Sequence, residues 1–544
     1  MKVVIIGGVA GGMSAATRLR RLDEHAEIVV LERGAHVSYA NCGLPYYLGG
    51  VIEERDALLV QTPEALHTRF RLDVRVRSEA VAIDREARTV RVRDLESGRE
   101  YEEAYDSLVL SPGARPFVPD LPGIERARTL RDVTDVDRIV ADLTEGVRTA
   151  VVVGGGFIGV EAAENLRARG LDVTLVELAG QVLPPLDPEM AGPLTAELRA
   201  HGVRVELGTQ LVKVSPDAVD LADGRTLPAD LVLLAIGVRP DTALARAAGL
   251  ETGPRGGIAV DERLRTSDPR IHALGDAAEK RDALTGEPVL IPLANLANRH
   301  GRLVADLLAG RSVAARPAAG TAVVQVFGRT AAATGWNEKR LRAAGRRHQA
   351  VHLHPGSHAG YYPGAAPIAL KVLFDPDDLR ILGAQAVGAD GVDKRIDVIA
   401  TAMAGGLTVT ELADLELAYA PPYGSAKDPV NLAGMIAENA ATGTDRLVQW
   451  HEAAEAQRQG TVVVDVRTPA EHASGALPGA IHVPLDELRD RSADLPSGDL
   501  IVYCQQGLRG HTAARLLTQL GRTAANLSGG YATWAAAQPS PIAA

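Results

Sequence analysis

One pattern of apolar and polar positions occurs twice. Residues 3–6 (Val-Val-Ile-Ile) form a short apolar run, glycines interrupt it at 7–12, a helical period continues to Leu22, and residues 28–31 form a second apolar run that stops at Glu32. Such runs, without polar alternation, predict strands covered on both faces. The pattern returns as an apolar run at 150–153, a glycine turn at 154–159, a helix to about Gly170, a run at 173–176 and then Glu177. Beyond residue 320 the order changes. Strands are predicted at 322–326, 368–373 and 381–385, with helices near 391–404 and 409–415, a segregated α+β arrangement. After the stretch 440–445 (Ala-Ala-Thr-Gly-Thr-Asp), an amphipathic helix from Trp450 to about Gln457 precedes strands at 461–467 and 500–503.

Strand, glycine turn, helix, strand and acid is the order of a dinucleotide site. The glycines let the backbone approach a pyrophosphate at a helix N-terminus, and the acid bonds a ribose hydroxyl. The first copy offers Gly7, Gly8, Gly11, Gly12 and Glu32, with Val9 where the middle glycine of G-x-G-x-x-G belongs. The second copy is complete, with Gly154, Gly156, Gly159 and Glu177. Glu177, followed by Leu178-Ala179-Gly180, favours NADH over NADPH; Arg167 and Arg169 are the residues that argue the other way. Two nucleotide sites suggest a relay from a nicotinamide through a flavin to a sulfur.

The chain has only two cysteines, Cys42 and Cys504, far apart and each in its own motif. They are no disulfide framework, and a reducing cytoplasm is the expected setting. Cys42 lies in Ser38-Tyr39-Ala40-Asn41-Cys42-Gly43-Leu44-Pro45, where a helix start is expected and the helix dipole would favour thiolate over thiol. At 544 residues the chain is too long for one domain. Its net charge of −11 argues against a general nucleic-acid binder, and no apolar run reaches the length of a membrane span. No metal site is expected.

With these motifs in place, the chain resembles the FAD- and NAD(P)-dependent pyridine nucleotide-disulfide oxidoreductases. Residues 108–114 and 233–240 look like that family's crossover segments, and residues 271–277 (Ile-His-Ala-Leu-Gly-Asp-Ala) look like its second FAD motif, whose aspartate, here Asp276, binds the flavin ribitol. The resemblance implies FAD and NAD(P)H as cofactors. It also implies a discontinuous FAD-binding domain at 1–112 plus 240–320, an NAD(P)H-binding domain at 113–239 and a dimerisation domain at 321–440.

Position 47, five after Cys42, is a tyrosine, so Cys42 cannot close the internal disulfide of the dithiol members. It must pair with an external thiol, a sulfane sulfur or an oxygen. The first glycine turn carries Ala10 where single-cysteine peroxidases and oxidases carry a histidine. Ser38, Asn41 and Cys42 instead match the active-site stretch of coenzyme A-disulfide reductases, as do Tyr361 in residues 358–364 and Tyr419 in residues 419–423. In that branch both tyrosines reach the cysteine from the other subunit of a homodimer, and a tyrosine hydroxyl is a proton donor for a leaving thiolate. The same resemblance assigns coenzyme A contacts to Ser14, Arg18, Arg21, Asn298 and Lys427.

The C-terminal region resembles rhodanese domains, from its Asp-Val-Arg strand to the loop Cys504-Gln505-Gln506-Gly507-Leu508-Arg509. Cys504 is then a sulfur carrier, with inward backbone amides and Arg509 stabilising a persulfide anion. Residues 441–454 are expected to be a linker and 455–544 the rhodanese domain. The expected fold is thus α/β: two Rossmann-like nucleotide-binding domains, an α+β dimerisation domain and a C-terminal α/β rhodanese domain. The expected activity is NAD(P)H-dependent reduction of coenzyme A disulfide, coenzyme A persulfide or polysulfide by a cytoplasmic flavoprotein homodimer that binds neither nucleic acid nor membrane. The alternatives are an NADH oxidase cycling through a cysteine sulfenic acid and a redox or sulfide sensor flavoprotein.

Overall fold

The computed structural model describes residues 1–538, so residues 539–544 of the expected last domain lie outside the described residues. The chain divides into two compact units, residues 1–180 with 202–320, and residues 181–201 with 321 onward.

In the first unit, both repeated patterns become parallel five-stranded sheets. One has the order Ile271–Ala273, Ser107–Leu110, Lys2–Ile6, Glu27–Leu31, Asp73–Arg75, so its edge strand returns from late in the sequence. The other has the order Arg204–Leu207, Asp172–Glu177, Thr149–Val153, Leu231–Leu234, Arg128–Thr129. The expected crossover segments meet as a two-stranded antiparallel ribbon, Ala114–Pro116 against Val238–Pro240. Helix Ala10–Leu22 lies against helix Ala294–Leu308 at a glycine contact; a Cβ on Gly301 would sit 2.2 Å from the Gly11 carbonyl oxygen. Two antiparallel three-stranded sheets, at 78–104 and 211–228, escape the sequence reading because their strands are short and rich in charge.

In the second unit, an antiparallel sheet runs Ala322–Val326, Arg329–Gly335, Ile381–Gly388, Ile368–Phe374, Gln349–Leu353. Helices Val392–Gly405 and Pro429–Ala441 contribute to its apolar core. The strands at 329–335 and 349–353 are not legible from the sequence: one is built on alanine and threonine, and the other is short. The helix expected at 409–415 is a 3₁₀ turn, Thr410–Asp414, and the one expected from Trp450 starts at Ala453. The last sheet is parallel, in the order Leu447–Val448, Ala524–Leu527, Leu500–Tyr503, Val462–Asp465, Ile481–His482. Leu447–Val448 lies within the span expected as a linker and is an edge strand of this sheet. No helix among the described residues is long and apolar enough to cross a membrane.

A buried charge cluster ties this unit together. The Lys371 ammonium, with no exposed surface, donates to Asp187 at 2.9 Å, Glu189 at 2.5 Å and Glu338 at 2.6 Å. The three carboxylates have the spacing of a metal site, and the ammonium sits among them. The cluster reaches the last sheet through His352. Its Nε2 meets Glu189 at 3.0 Å, and its backbone N–H donates to the Ser528 hydroxyl at 3.0 Å. Burial pushes the Glu189 and Glu338 carboxyls up, but His352 and His348, respectively, together with Lys371, outweigh it and hold both well below the usual range.

Removing the ammonium strands buried carboxylates, so Lys371→Met is expected to cost about 3–5 kcal/mol, read as a lowered urea midpoint of the full chain. A depressed carboxyl stabilises the fold above its unfolded pKa, about 4.3 for glutamate. Wild-type stability should therefore fall as the pH drops below that value, and the Lys371→Met chain should lose less over the same range.

Candidate active site

The two glycine turns are closed by the same device. Gly7 and Gly154 have φ of +102° and +107°, where a Cβ would strike the carbonyl oxygens of Ser111 and Ala235 at 2.0 and 2.4 Å. A Cβ on Gly12 or Gly159 would lie 1.9 or 1.8 Å from the oxygen of that first glycine. In each turn the acid ending the second strand accepts two backbone N–H bonds. Glu32 takes Gly8 at 2.8 Å and Gly34 at 2.7 Å; Glu177 takes Gly155 at 2.6 Å and Ala179 at 2.7 Å. A carboxylate has about four acceptor sites, which leaves room for ribose hydroxyls. Val9 stands where the pattern asks for glycine, but its φ is −110°, a value open to valine. Gly156 faces open space, the approach a pyrophosphate needs. Asp276 makes no hydrogen bond among the described residues, and burial pushes its carboxyl up. Lys280, beside it, donates to the carbonyls of Gly275 at 2.5 Å and Ala278 at 3.0 Å, and burial brings it down to about 8. An acceptor in that setting suits a ribitol hydroxyl, and these residues fit a flavin nucleotide and a nicotinamide nucleotide.

Both arginines that argue for NADPH are engaged elsewhere. Arg169 Nε donates to the Leu48 carbonyl at 2.5 Å, and Arg167 donates to the Leu171 carbonyl at 2.9 Å.

Cys42 is exposed, in a 3₁₀ turn Asn41–Gly43 that leads into the short helix Leu44–Gly49. Ser38, at φ +48°, takes the Gly8 carbonyl through its N–H at 2.8 Å, which couples this segment to the first glycine turn. The short helix packs against Phe157–Ala168, the helix of the second turn; a Cβ on Gly49 would meet Asn165 Oδ1 at 2.0 Å. The expected depression of the thiol is not found. Desolvation on its inner side pushes the Cys42 thiol up, with Glu161 and Asp276 adding to it. A six-residue helix starting two residues later supplies too little field to reverse this. Glu161 is a residue the sequence reading missed. Burial raises its carboxyl to about 6, against the Tyr46 hydroxyl, which donates to it at 3.3 Å. Its signal in the sequence is faint, an acid on the inner face of the helix after the second turn.

Of the expected coenzyme contacts, Ser14 donates to Asn298 Oδ1 at 2.6 Å, and Arg18 is paired with Asp306 at 2.8 Å. Arg21 is exposed over Phe70, whereas its neighbour Arg20 is buried on backbone carbonyls. In the second unit Lys427 is exposed, and the Tyr361 and Tyr419 hydroxyls share a hydrogen bond of 2.8 Å at an exposed site.

Cys504 is buried, at the end of strand Leu500–Tyr503. Of the amides expected around it, that of Gly507 reaches the sulfur, at 3.1 Å. Gly507 has φ +104°, which turns this N–H inward. The Cys504 and Gln505 carbonyls accept from Tyr531 and Ala532, which pins the loop to the last helix. Arg509, expected to be free for a persulfide, is held by Glu471 through two bonds of 2.9 and 2.6 Å.

Residues 1–301 match the pyridine nucleotide-disulphide oxidoreductase family, 321–429 its dimerisation domain, and 449–537 the rhodanese-like domain. A coenzyme A disulfide reductase of Staphylococcus aureus is 35% identical over 443 residues, 80% of this chain and 100% of the relative. The crystal structure of reduced Bacillus anthracis CoADR-RHD superposes with a TM-score of 0.97 at 49% identity, covering 98% of each chain. A NAD-dependent persulfide reductase from A. fulgidus superposes at 0.93 with 38% identity, covering 98% of this chain and 100% of the other. By fold, glycine turns and these matches, the chain belongs to the pyridine nucleotide-disulphide oxidoreductase family and carries its dimerisation domain and a rhodanese-like domain.

Proposed function

We propose that the chain is a flavoprotein that uses NAD(P)H to reduce coenzyme A disulfide, coenzyme A persulfide or polysulfide at Cys42, working as a homodimer, with Cys504 as its sulfur carrier. The observation that carries this reading is an exposed thiol without a second cysteine in its motif, in a turn leading into a short helix that packs against the helix following the second glycine turn. Gly7, Gly8, Gly11, Gly12, Glu32 and Asp276 hold FAD; Gly154, Gly156, Gly159 and Glu177 hold NAD(P)H, and the engaged arginines favour NADH. Bound flavin supplies the two electrons, drawn from NAD(P)H, that return the Cys42 sulfur to a thiolate.

The residues of the chain do the rest. Cys42 thiolate attacks one sulfur of coenzyme A disulfide, forms a mixed disulfide and releases coenzyme A thiolate. With a persulfide it takes the outer sulfur, and two electrons and a proton then release hydrosulfide. Tyr361 and Tyr419, whose hydroxyls are hydrogen-bonded to each other, donate to the leaving thiolate from the partner subunit. Ser14, Arg18, Arg21, Asn298 and Lys427 hold the coenzyme, with Ser38 and Asn41 beside the reacting sulfur. Glu161 opposes the thiolate, so Cys42 is a guarded nucleophile that reacts when substrate and cofactor are in place.

Cys42→Ser should abolish NADH oxidation driven by coenzyme A disulfide, measured at 340 nm, a wavelength fixed by the nicotinamide; sulfur-dependent turnover that survives this change would overturn the mechanism. Cys504→Ser should remove sulfur transfer while coenzyme A disulfide reduction continues. In flavin-depleted protein, Glu161→Gln removes a negative neighbour, so the pH profile of Cys42 alkylation by iodoacetamide should shift to lower pH.

A further inference from the structure

The charges around Cys504 cancel. Arg467, fully buried, binds Asp465 through Nε at 3.0 Å and a second nitrogen at 2.7 Å, stacks over Tyr531 and donates to Gln505 Oε1 at 3.1 Å. Arg509, whose guanidinium lies by the Cys504 sulfur, is held by both oxygens of Glu471. Glu471 is itself fixed, because one of its oxygens accepts from the Thr468 N–H at 2.9 Å and hydroxyl at 3.0 Å in a capping box. Arg509 keeps the Glu471 carboxyl at about 2, so the pair stays charged throughout the neutral range. The other loop side chains, Gln505, Gln506 and Leu508, are neutral, and Leu508 is 77% exposed. Among the described residues the sulfur therefore has a backbone N–H aimed at it and, beside it, a guanidinium whose charge Glu471 offsets, with no cation of the loop lacking a carboxylate partner.

We propose that Glu471, by holding Arg509, makes the Cys504 loop selective for organic persulfides and closes it to thiosulfate. The inference rests on the reading of Cys504 as a sulfur carrier and names the donor class. A persulfide, R–S–S⁻, hands over its outer sulfur when Cys504 thiolate forms a new S–S bond and R–S⁻ leaves. Thiosulfate loads the same sulfur with sulfite as the leaving group. The two reactions balance alike and differ in what the loop must hold. Thiosulfate is a small dianion that must shed water at a site without a free counter-charge. An organic persulfide brings a single negative charge to its reacting end, keeps its other charges away from the loop, and has a body that can rest on exposed Leu508 and the Gln506 amide. Glu471 acts through Arg509 and is a positioning residue.

The test uses the full-length flavoprotein without NADH, with glutathione persulfide or thiosulfate as donor. The readout is the rate at which the Cys504 peptide gains a sulfur by mass spectrometry, which separates it from the Cys42 peptide. Wild type should load from the persulfide at least about tenfold faster than from thiosulfate. Glu471→Gln keeps an acceptor for Thr468 but frees Arg509; it should lower the half-saturating thiosulfate concentration by about tenfold, with the maximal rate nearly unchanged, and this gain should fade at high salt. Glu471→Asp should keep wild-type selectivity, and adding Arg509→Met to Glu471→Gln should cancel the gain. Gln506→Lys, at an exposed position, supplies a free cation without touching Glu471 and should also raise thiosulfate loading. Equal wild-type rates with both donors, or no thiosulfate gain in Glu471→Gln and Gln506→Lys, would overturn the selectivity. Loading from neither donor would overturn the carrier reading, and this inference with it.

Discussion

A buried ammonium cannot stand alone, and neither can three buried carboxylates. Lys371, Asp187, Glu189 and Glu338 solve both problems together, and the solution draws on a helix at 188–200, a helix at 338–343 and the middle of an antiparallel sheet. Gln385 adds its amide to Asp187 at 2.6 Å, and His352 passes the network on to Ser528 in the last sheet. Charges at this depth are weak evidence of stability in themselves, because hydrophobic replacements often do as well. Their effect is geometric. Every partner must arrive in register or a charge is left unpaired, so the cluster specifies how the rhodanese-like sheet is held within its unit.

The nucleotide turns show the same logic on a smaller scale. A strand-turn-helix leaves amides unpaired, and Glu32 and Glu177 each close one of them while also accepting from an amide two residues further along their own loop. The turns then resist distortion while keeping acceptor capacity for a ribose. The helix that follows the second turn also bears Glu161 and Asn165, the residues against which the Cys42 helix packs. One helix therefore has its start at the second glycine turn and its side in the surroundings of Cys42.

The two cysteines occupy opposite settings. Cys42 is open, and its thiol is pushed up by desolvation and by Glu161. Cys504 is closed in, held by a loop amide and surrounded by charge pairs that cancel. Away from both sulfurs in the sequence, the Tyr361 and Tyr419 hydroxyls share a hydrogen bond of 2.8 Å at an exposed site.

Motifs whose meaning is local were legible in the chain: both glycine turns with their acids, the stretch around Cys42, the Cys504 loop and the α/β class. These depend on steric demands that a few consecutive residues either meet or fail, and on backbone amides those residues themselves present. Sheets built on alanine or on short charged strands were not legible, because their burial comes from partners distant in sequence. Nor were the pairings of charge. Arg18 with Asp306, Arg169 with the Leu48 carbonyl, Arg509 with Glu471 and Lys371 with its three acids read in sequence as free charges. The sequence by itself determined which cofactors and sulfurs the chain presents. Only the tertiary structure decided the electrostatic field around each sulfur, because that field is a sum over neighbours the fold brings together from far along the chain.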